Sequence, residues 1–500
     1  MRDRREKRVL LMEPPFCRLY HDNYALIKYP LALGYLSGAV EKWTDWRVET
    51  YNADFNTDKC IVVANSFLIG PGYQNYLQQL ENPTAPVWDE IRATLKAFQA
   101  DVVGISAKSQ NFMAVAQVAA MAKELLPGVT VVVGGAHPSM AGEKVLEVGE
   151  IDVAVVGEGE ETLVELLKAL EKGAPLVDVP GLIFRGEKGI VRTPPRPFMA
   201  DLDILPFPMA NARKVLKDYD RYPPDAFSRV FAARGCPYSC TFCGSRNIWS
   251  QKVRFRSAQN VIDEIKMLQG MGIHYIHFDD DTFGVKISFI RELCNGMIEQ
   301  CPDLTWSCEI VVGLIREEVV DLMARSGCKM VMLGIESGND GMLKKIRKNI
   351  TMDEAHQAVD LLKSRNIEVQ TFFMVGFPDE TEETLQDTQV AMKNIRSDKI
   401  AFSIFTPYPG TELFQVCHER GLVEDDFNVS LYNHQSPENH FTPHIPKARF
   451  QQLVAETVRI VDRKNTLKQF RRVLKLLKEQ GVAYTASQIF RFVWGRLKAR

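Results

Sequence analysis

The chain has 500 residues, 46% of them apolar and 25% charged, so it is long enough for two or more packed domains and lacks the composition of a disordered or fibrous protein. Sixty-one basic against 63 acidic residues leave a net charge of −2, which argues against wholesale nucleic-acid binding. No stretch approaches the roughly 20 apolar residues of a membrane-spanning helix, and the opening MRDRREKRVLLMEPPF is too short and too Pro-bounded for a signal peptide, so a cytoplasmic location is expected.

In chain order, RVLLMEPP, WRVETYNAD, ADVVGISA, TVVVGGAHP and IDVAVVGEGEE read as buried strands. Helical patterns such as LALGYLSGAVEKW and FMAVAQVAAMAKELL lie between them. Val/Ile-rich runs separated by helices predict a parallel sheet covered on both faces: an α/β, doubly wound, Rossmann-like domain over 1–172, with its ligand at the carboxyl ends of the strands. Residues 173–227 are rich in Pro and Gly and read as a connection with a small hairpin. From Arg229 a second series supplies six strands, RVFAARG, HYIHFDDD, LTWSCEIVV, KMVMLGIES, VQTFFMVGFP and KIAFSIFTPYPG, which predict a (β/α)6 partial TIM barrel over 228–425. Residues 426–500 are expected to form a helical C-terminal extension. From Lys447 onward it holds fourteen basic and three acidic residues, a solvated face or a peripheral membrane contact through its end, IFRFVWGRLKAR.

The most informative stretch is RGCPYSCTFCGS, which places Cys236, Cys240 and Cys243 at the rim after the first barrel strand. Structural zinc would require a fourth protein ligand, and no Cys or His with suitable spacing follows. A 4Fe-4S cluster held by three cysteines keeps one iron open, which suits catalysis. Gly235 and Pro237 shape the turn, and Phe242 offers an aromatic face beside the cluster. The other seven cysteines, Cys17, Cys60, Cys294, Cys301, Cys308, Cys328 and Cys417, lack ligand spacing and are assigned to packing, so no auxiliary cluster is expected.

This CxxxCxxC motif opening a six-stranded barrel resembles the radical S-adenosylmethionine superfamily. The resemblance implies that S-adenosylmethionine chelates the open iron and that one electron from the cluster releases a 5′-deoxyadenosyl radical. It places Asp280 and Asp281 of FDDDTFG at the methionyl amine, although both carboxylates also suit a loop or helix cap. By the same resemblance Glu336 of GIESGND meets the ribose or amine and Arg347 the carboxylate, while Gly376 and Pro378 of FFMVGFPDET approach the adenine. FTPYPGTEL is similar to the last-strand signature of the same branch.

The order PLALGYL, VVGISAKSQN, VVVGGAHPS, VVGEGEET ahead of such a barrel resembles the cobalamin-binding domains of the cobalamin-dependent branch. It implies that Ser106, Ser109, Gly134, Gly135 and His137 surround the nucleotide tail, with Gly157, Glu158 and Gly159 nearby. Small residues there would leave room for a large cofactor. A DxHxxG motif is missing after the first strand, where only His21 occurs, so cobalamin is expected without a protein histidine on cobalt. A scaffold that has lost cobalamin is the alternative.

The resemblance implies methylation of an unactivated carbon, less often phosphorus, of a small-molecule or lipid-like substrate, with a flavodoxin or ferredoxin as electron donor. The alternatives are a radical oxidative cyclase like the anaerobic magnesium-protoporphyrin monomethyl ester cyclase and a cobalamin- or redox-sensing module. The segment from Tyr73 to Ile91 looks like an insertion common in the branch and does not discriminate. A tRNA-methylthiolating reading is weaker, for no second cysteine triad precedes the motif.

Overall fold

The computed structural model describes residues 6–25, 27–56, 64–249 and 251–480, with side chains up to 466. Cys60 and the terminal residues 481–500, on which the membrane-contact expectation falls, lie outside the described residues. No described helix is long and apolar enough to cross a membrane.

The first sheet contains β1 (Arg8–Glu13), β2 (Arg47–Asn52), β3 (Val102–Ser106), β4 (Thr130–Gly134), β5 (Val153–Val155), β6 (Leu182–Gly186) and β7 (Gly189–Arg192). Its spatial order is β2-β1-β3-β4-β5-β6-β7. The first five strands are mutually parallel, and β6 and β7 add an antiparallel edge. The predicted hairpin is therefore part of this sheet, which runs past the expected boundary at residue 172 because β6 pairs with β5 instead of standing alone. A 2-1-3-4-5 order reverses direction between β1 and β3, and a doubly wound sheet opens a crevice beyond the strand ends at such a point.

The Pro-rich connection also belongs to this body. Helix Leu31–Trp43 is buried along most of its length, and Gly34 and Gly38 bring it against Pro208 and Pro206. A Cβ on Gly34 would stand 2.5 Å from the Pro208 carbonyl oxygen, and one on Gly38 2.7 Å from Pro206 Cγ. Neither position has room for a larger residue unless the connection moves.

The second sheet is built from β8 (Arg229–Val230), β11 (Tyr275–Phe278), β12 (Thr305–Ile310), β13 (Cys328–Glu336), β14 (Glu368–Val375) and β15 (Lys399–Ile404). These six strands pair in parallel and in chain order, leaving the barrel open between β8 and β15. Between β8 and β11, a short antiparallel ribbon of β9 (Ala233–Arg234) and β10 (Arg254–Phe255) brackets the cysteine loop.

The two bodies share one apolar core, which continues from Val9 and Leu11 through Tyr29 and Phe227 into the barrel residues Val230, Trp306 and Phe373. The expected boundary at 425/426 is also crossed. The start of helix Lys447–Gln480 packs on the barrel through Phe450, Leu453 and Val461, all fully buried or nearly so. Lys464 Nζ donates to the Met392 carbonyl at 2.9 Å, so this part of the tail is not merely a solvated basic face.

Residues 430–439 form a strap across both bodies. Tyr20 Oη donates to Asn433 Oδ1 at 2.9 Å, and Tyr76 Oη donates to the Ser430 carbonyl at 3.2 Å. On the barrel side, Ile404 N donates to the His434 carbonyl at 3.0 Å and Asn439 Nδ2 to the Phe405 carbonyl at 3.2 Å. The first body is thus fastened to the barrel, and the carboxyl ends of its parallel strands share a cavity with Arg229, Phe231 and Asp279 at β8 and β11.

Candidate active site

The cysteine loop leaves β9 through Gly235, whose φ of 104° lies in the left-handed region that glycine tolerates. Cys236, Cys240 and Cys243 are free and half-buried. Thr241 N donates to the Ile346 carbonyl and Leu413 N to the Thr241 carbonyl, both at 3.1 Å, so the loop is anchored to the segments after β13 and β15. Burial pushes all three thiols up, Cys243 to about 11, so a metal must drive their protons off. No group of three or more His, Cys, Asp or Glu among the described residues is arranged around a single ion. The cysteines of a cubane bind three different irons, which spreads them further apart than the ligands of one zinc. Three free, half-buried thiols on one anchored loop fit the cluster. Thr241 within this loop and Thr282 next to Asp281 each carry a hydroxyl that is buried without a hydrogen-bond partner among the described residues, a polar group left for a ligand to satisfy.

The residues predicted for S-adenosylmethionine separate into two groups. Phe242 packs toward Phe377 at 6.0 Å between ring centroids, and Pro378 is buried beside it. Asp281 Oδ2 accepts from Ser245 Oγ at 2.8 Å at the rim of the cysteine loop. Glu336 sits at a register shift in β13 with φ 76°, a bulge that re-aims its side chain onto Lys348 Nζ at 2.8 Å.

Three of the predicted residues are engaged with the protein itself in this structure. Asp280 is committed to structure: Oδ1 accepts from Ala232 N and Ala233 N at 2.8 and 3.1 Å, and burial pushes its carboxyl up to about 7. Arg347 points outward to Glu412 Oε2 at 2.8 Å, and the cation near the thiols is Lys348. Gly376, at φ 95°, makes room for the C-terminal helix, since a Cβ there would stand 2.9 Å from Phe450 Cζ.

The Gly376 amide donates to Glu380, a fully buried carboxyl whose Oε1 has no hydrogen-bond partner among the described residues. Burial pushes Glu380 up to about 8 against the pull of the Gly376 and Phe377 amides. Because the folded-state value is raised, the stability linked to this group is full below about 4.5 and lost as the pH rises through about 8. Glu380→Gln is expected to lose less stability over that range in urea unfolding; parallel pH profiles would contradict the assignment.

Beyond the strand ends of the first sheet lies a cavity of about 360 Å³. It is lined by Ser106, Gly134, Gly135, Gly157, Glu158 and Gly159, by Leu31 and Leu36 of the first long helix, and by Phe231, Ile248 and Trp249 from the barrel side. The small residues at the strand ends provide the cradle a large cofactor requires. A Cβ on Gly134 would meet only Val155 Cβ at an ordinary 3.7 Å, so the protein itself does not require glycine there. Gly134→Ala is expected to keep its stability within about 0.5 kcal/mol. It is expected to weaken cobalamin binding about tenfold in an absorbance titration. Unchanged affinity would remove Gly134 from the cofactor cradle. Gly135 has a backbone reason of its own, φ 110° and the Ala107 carbonyl oxygen 2.9 Å from a Cβ.

Ser109 and His137 do not line the cavity. Ser109 Oγ bonds His137 Nδ1 at 2.9 Å, the imidazole lies 4.2 Å from the Phe112 ring, and burial lowers it to about 4, keeping it neutral. Glu158 lines the cavity, but its carboxylate is fully engaged. It accepts from Arg234 at 3.0 Å and from Arg254 and Met199 N at 2.9 Å. Burial pushes Glu158 up, but these partners hold it below the ordinary value. No histidine among the described residues lines the cavity, and His21 accepts from Asn23 N at 3.1 Å elsewhere.

Several cavity residues went unnamed in the sequence. Glu13 and Lys108 pair at 2.8 Å, as do Asp279 and Arg229, and Lys28 joins them. Glu13, Lys108, Arg229 and Asp279 share one signal, a charged residue at or just past a buried strand, whereas Lys28 lies in the bend before the helix Leu31–Trp43. Arg234 ties the cavity to the cysteine loop. Its guanidinium lies 5.1 Å from the Tyr35 ring and 5.2 Å from the Trp249 ring, and it pairs with Glu160 at 2.5 Å as well as with Glu158.

Comparison with known proteins agrees with this architecture. The B12 binding domain model matches residues 18–167 and the Radical SAM superfamily model residues 230–390. An uncharacterized methyltransferase of Pyrococcus horikoshii is 35% identical over 341 residues, 67% of this chain and 73% of the relative. The anaerobic magnesium-protoporphyrin IX monomethyl ester cyclase of Rubrivivax gelatinosus is 29% identical over 70% of this chain and 63% of its own. The radical S-adenosylmethionine methyltransferase TsrM of Kitasatospora setae superposes with a TM-score of 0.68 at 19% identity, covering 91% of this chain and 89% of that one. The chain belongs to the cobalamin-dependent radical S-adenosylmethionine enzymes. Its cofactors are a 4Fe-4S cluster, S-adenosylmethionine and cobalamin.

Proposed function

We propose that this enzyme is a methyltransferase acting on an unactivated carbon of a small-molecule or lipid-like substrate. The observation that carries the reading is the shared cavity: the strand-end residues Gly134 and Gly157 and the cysteine-loop residues Ile248 and Trp249 line one space. The bound cofactors supply a hydrogen-abstracting radical and a transferable methyl group. For its part, the chain holds the cluster through Cys236, Cys240 and Cys243. Leu31, Leu36, Phe231 and Trp249 exclude water, and the Asp279–Arg229 and Glu13–Lys108 pairs place polar groups in the same cavity. A flavodoxin or ferredoxin in the cytoplasm suits the electron supply.

The test is anaerobic reconstitution with all three cofactors, followed by mass spectrometry of metabolite extracts. A product heavier by one methyl, with both S-adenosylhomocysteine and 5′-deoxyadenosine released, is expected. The cyclase relative supports a second reading, in which the product loses hydrogens or gains oxygen. A sensing module would release no 5′-deoxyadenosine.

A further inference from the structure

A role for Glu336 at S-adenosylmethionine does not explain why it is paired with a buried lysine, Lys348. Lys348 is 8% exposed and bonds Glu336 Oε1 at 2.8 Å, and Glu336 is also 8% exposed. The barrel is shaped for this pair. A Cβ on Gly334 would stand 2.5 Å from Glu336 Oε1 and 2.7 Å from Lys348 Nζ, so glycine leaves the notch in which the two meet. Arg347 and Asn349, at φ 54° and 53°, flank Lys348 in the left-handed region and turn it inward while its neighbours face out. The same segment grips the cysteine loop, through Thr241 N on the Ile346 carbonyl at 3.1 Å. The ammonium charge of Lys348 acts on all three thiols and most on Cys240. A buried charge is poorly screened by water and salt, so its field at the thiols is far stronger than that of a surface cation such as Arg347.

We propose that Lys348 is a positioning residue that sets the reduction potential of the cluster held by Cys236, Cys240 and Cys243, with Glu336 as its counterweight. Reduction adds one electron, delivered by a flavodoxin- or ferredoxin-type donor or, in vitro, by dithionite, and no bond is made or broken. The reduced cluster carries one more negative charge than the oxidised cluster, and a nearby buried cation stabilises it preferentially. Lys348 therefore makes the cluster easier to reduce, and Glu336 partly offsets that effect. The inference goes beyond methylation and does not depend on the substrate.

The experiment is a dithionite titration of the reconstituted full-length protein, followed by electron paramagnetic resonance of the reduced cluster, without S-adenosylmethionine or substrate. Lys348→Gln is expected to move the midpoint to more negative potential, and Glu336→Gln to more positive potential. Lys348→Arg, which keeps the charge, is expected to stay near wild type. A merely structural pair would move both neutral variants the same way or leave both unmoved, and either result overturns the proposal. Should Lys348→Gln fail to hold iron, Glu336→Gln decides alone: a midpoint at or below wild type overturns it.

Discussion

Replacing Cys236, Cys240 and Cys243 together by alanine is expected to strip the protein of iron and to lower 5′-deoxyadenosine release at least about a thousandfold, the equivalent of ~4 kcal/mol in the barrier. Cobalamin binding is expected to change by less than about tenfold. The separation follows from where each function is housed. The thiols occupy the loop bracketed by β9 and β10, whereas much of the cavity wall comes from the ends of β1, β3, β4 and β5 and the helix Leu31–Trp43. Iron analysis, visible absorbance and a cobalamin titration on the triple variant check both halves. Iron retained at wild-type stoichiometry would sink the cluster assignment, and loss of cobalamin with the iron would show that the two sites do not stand apart.

The second large effect is expected at Arg234. Its side chain is 4% exposed, between two rings and against two buried carboxylates. Arg234→Met leaves Glu160 buried without its ion-pair partner, while Glu158 keeps Arg254 and the Met199 amide. Breaking a buried pair from one side costs about 3–5 kcal/mol. Arg234→Lys retains the charge but loses the planar fork and the stacking faces, so an intermediate loss is expected. Urea unfolding of the reconstituted variants measures both. A loss for Arg234→Met below about 1 kcal/mol, the range of exposed pairs, would mean that the network is effectively solvated.

The elements were legible in the sequence wherever local pattern decides structure. LALGYLSGAVEKW is the helix Leu31–Trp43, and every predicted strand overlaps an observed one, with β13 and β14 each starting one residue earlier than predicted. Continuous Val/Ile runs left little choice but a covered parallel sheet. The cysteine spacing was equally legible, because a short loop confines three thiols regardless of what surrounds it.

Side-chain direction was less legible. Arg347 and Lys348 are adjacent cations, and only the left-handed residues around Lys348 decide which one turns inward. FDDD offers three carboxylates in a row; their division among Arg229, the Ala232 and Ala233 amides and Ser245 depends on the end of β8 and the cysteine loop. Gly376 reads as a close approach to a ligand, yet the atom it admits belongs to Phe450, which is 74 residues away in the chain. The pairing of Tyr20 with Asn433 spans 413 positions, and no local period encodes such a contact.

That strap has a practical consequence. A lid hung from one tether swings open, but a lid fastened along two edges does not. Here the 193–228 stretch fastens one edge and the 430–439 crossing the other, so the two bodies do not swing apart about a single hinge. The floor and the roof of the cofactor space are then held in register by the chain itself, so their spacing is set before any cofactor arrives.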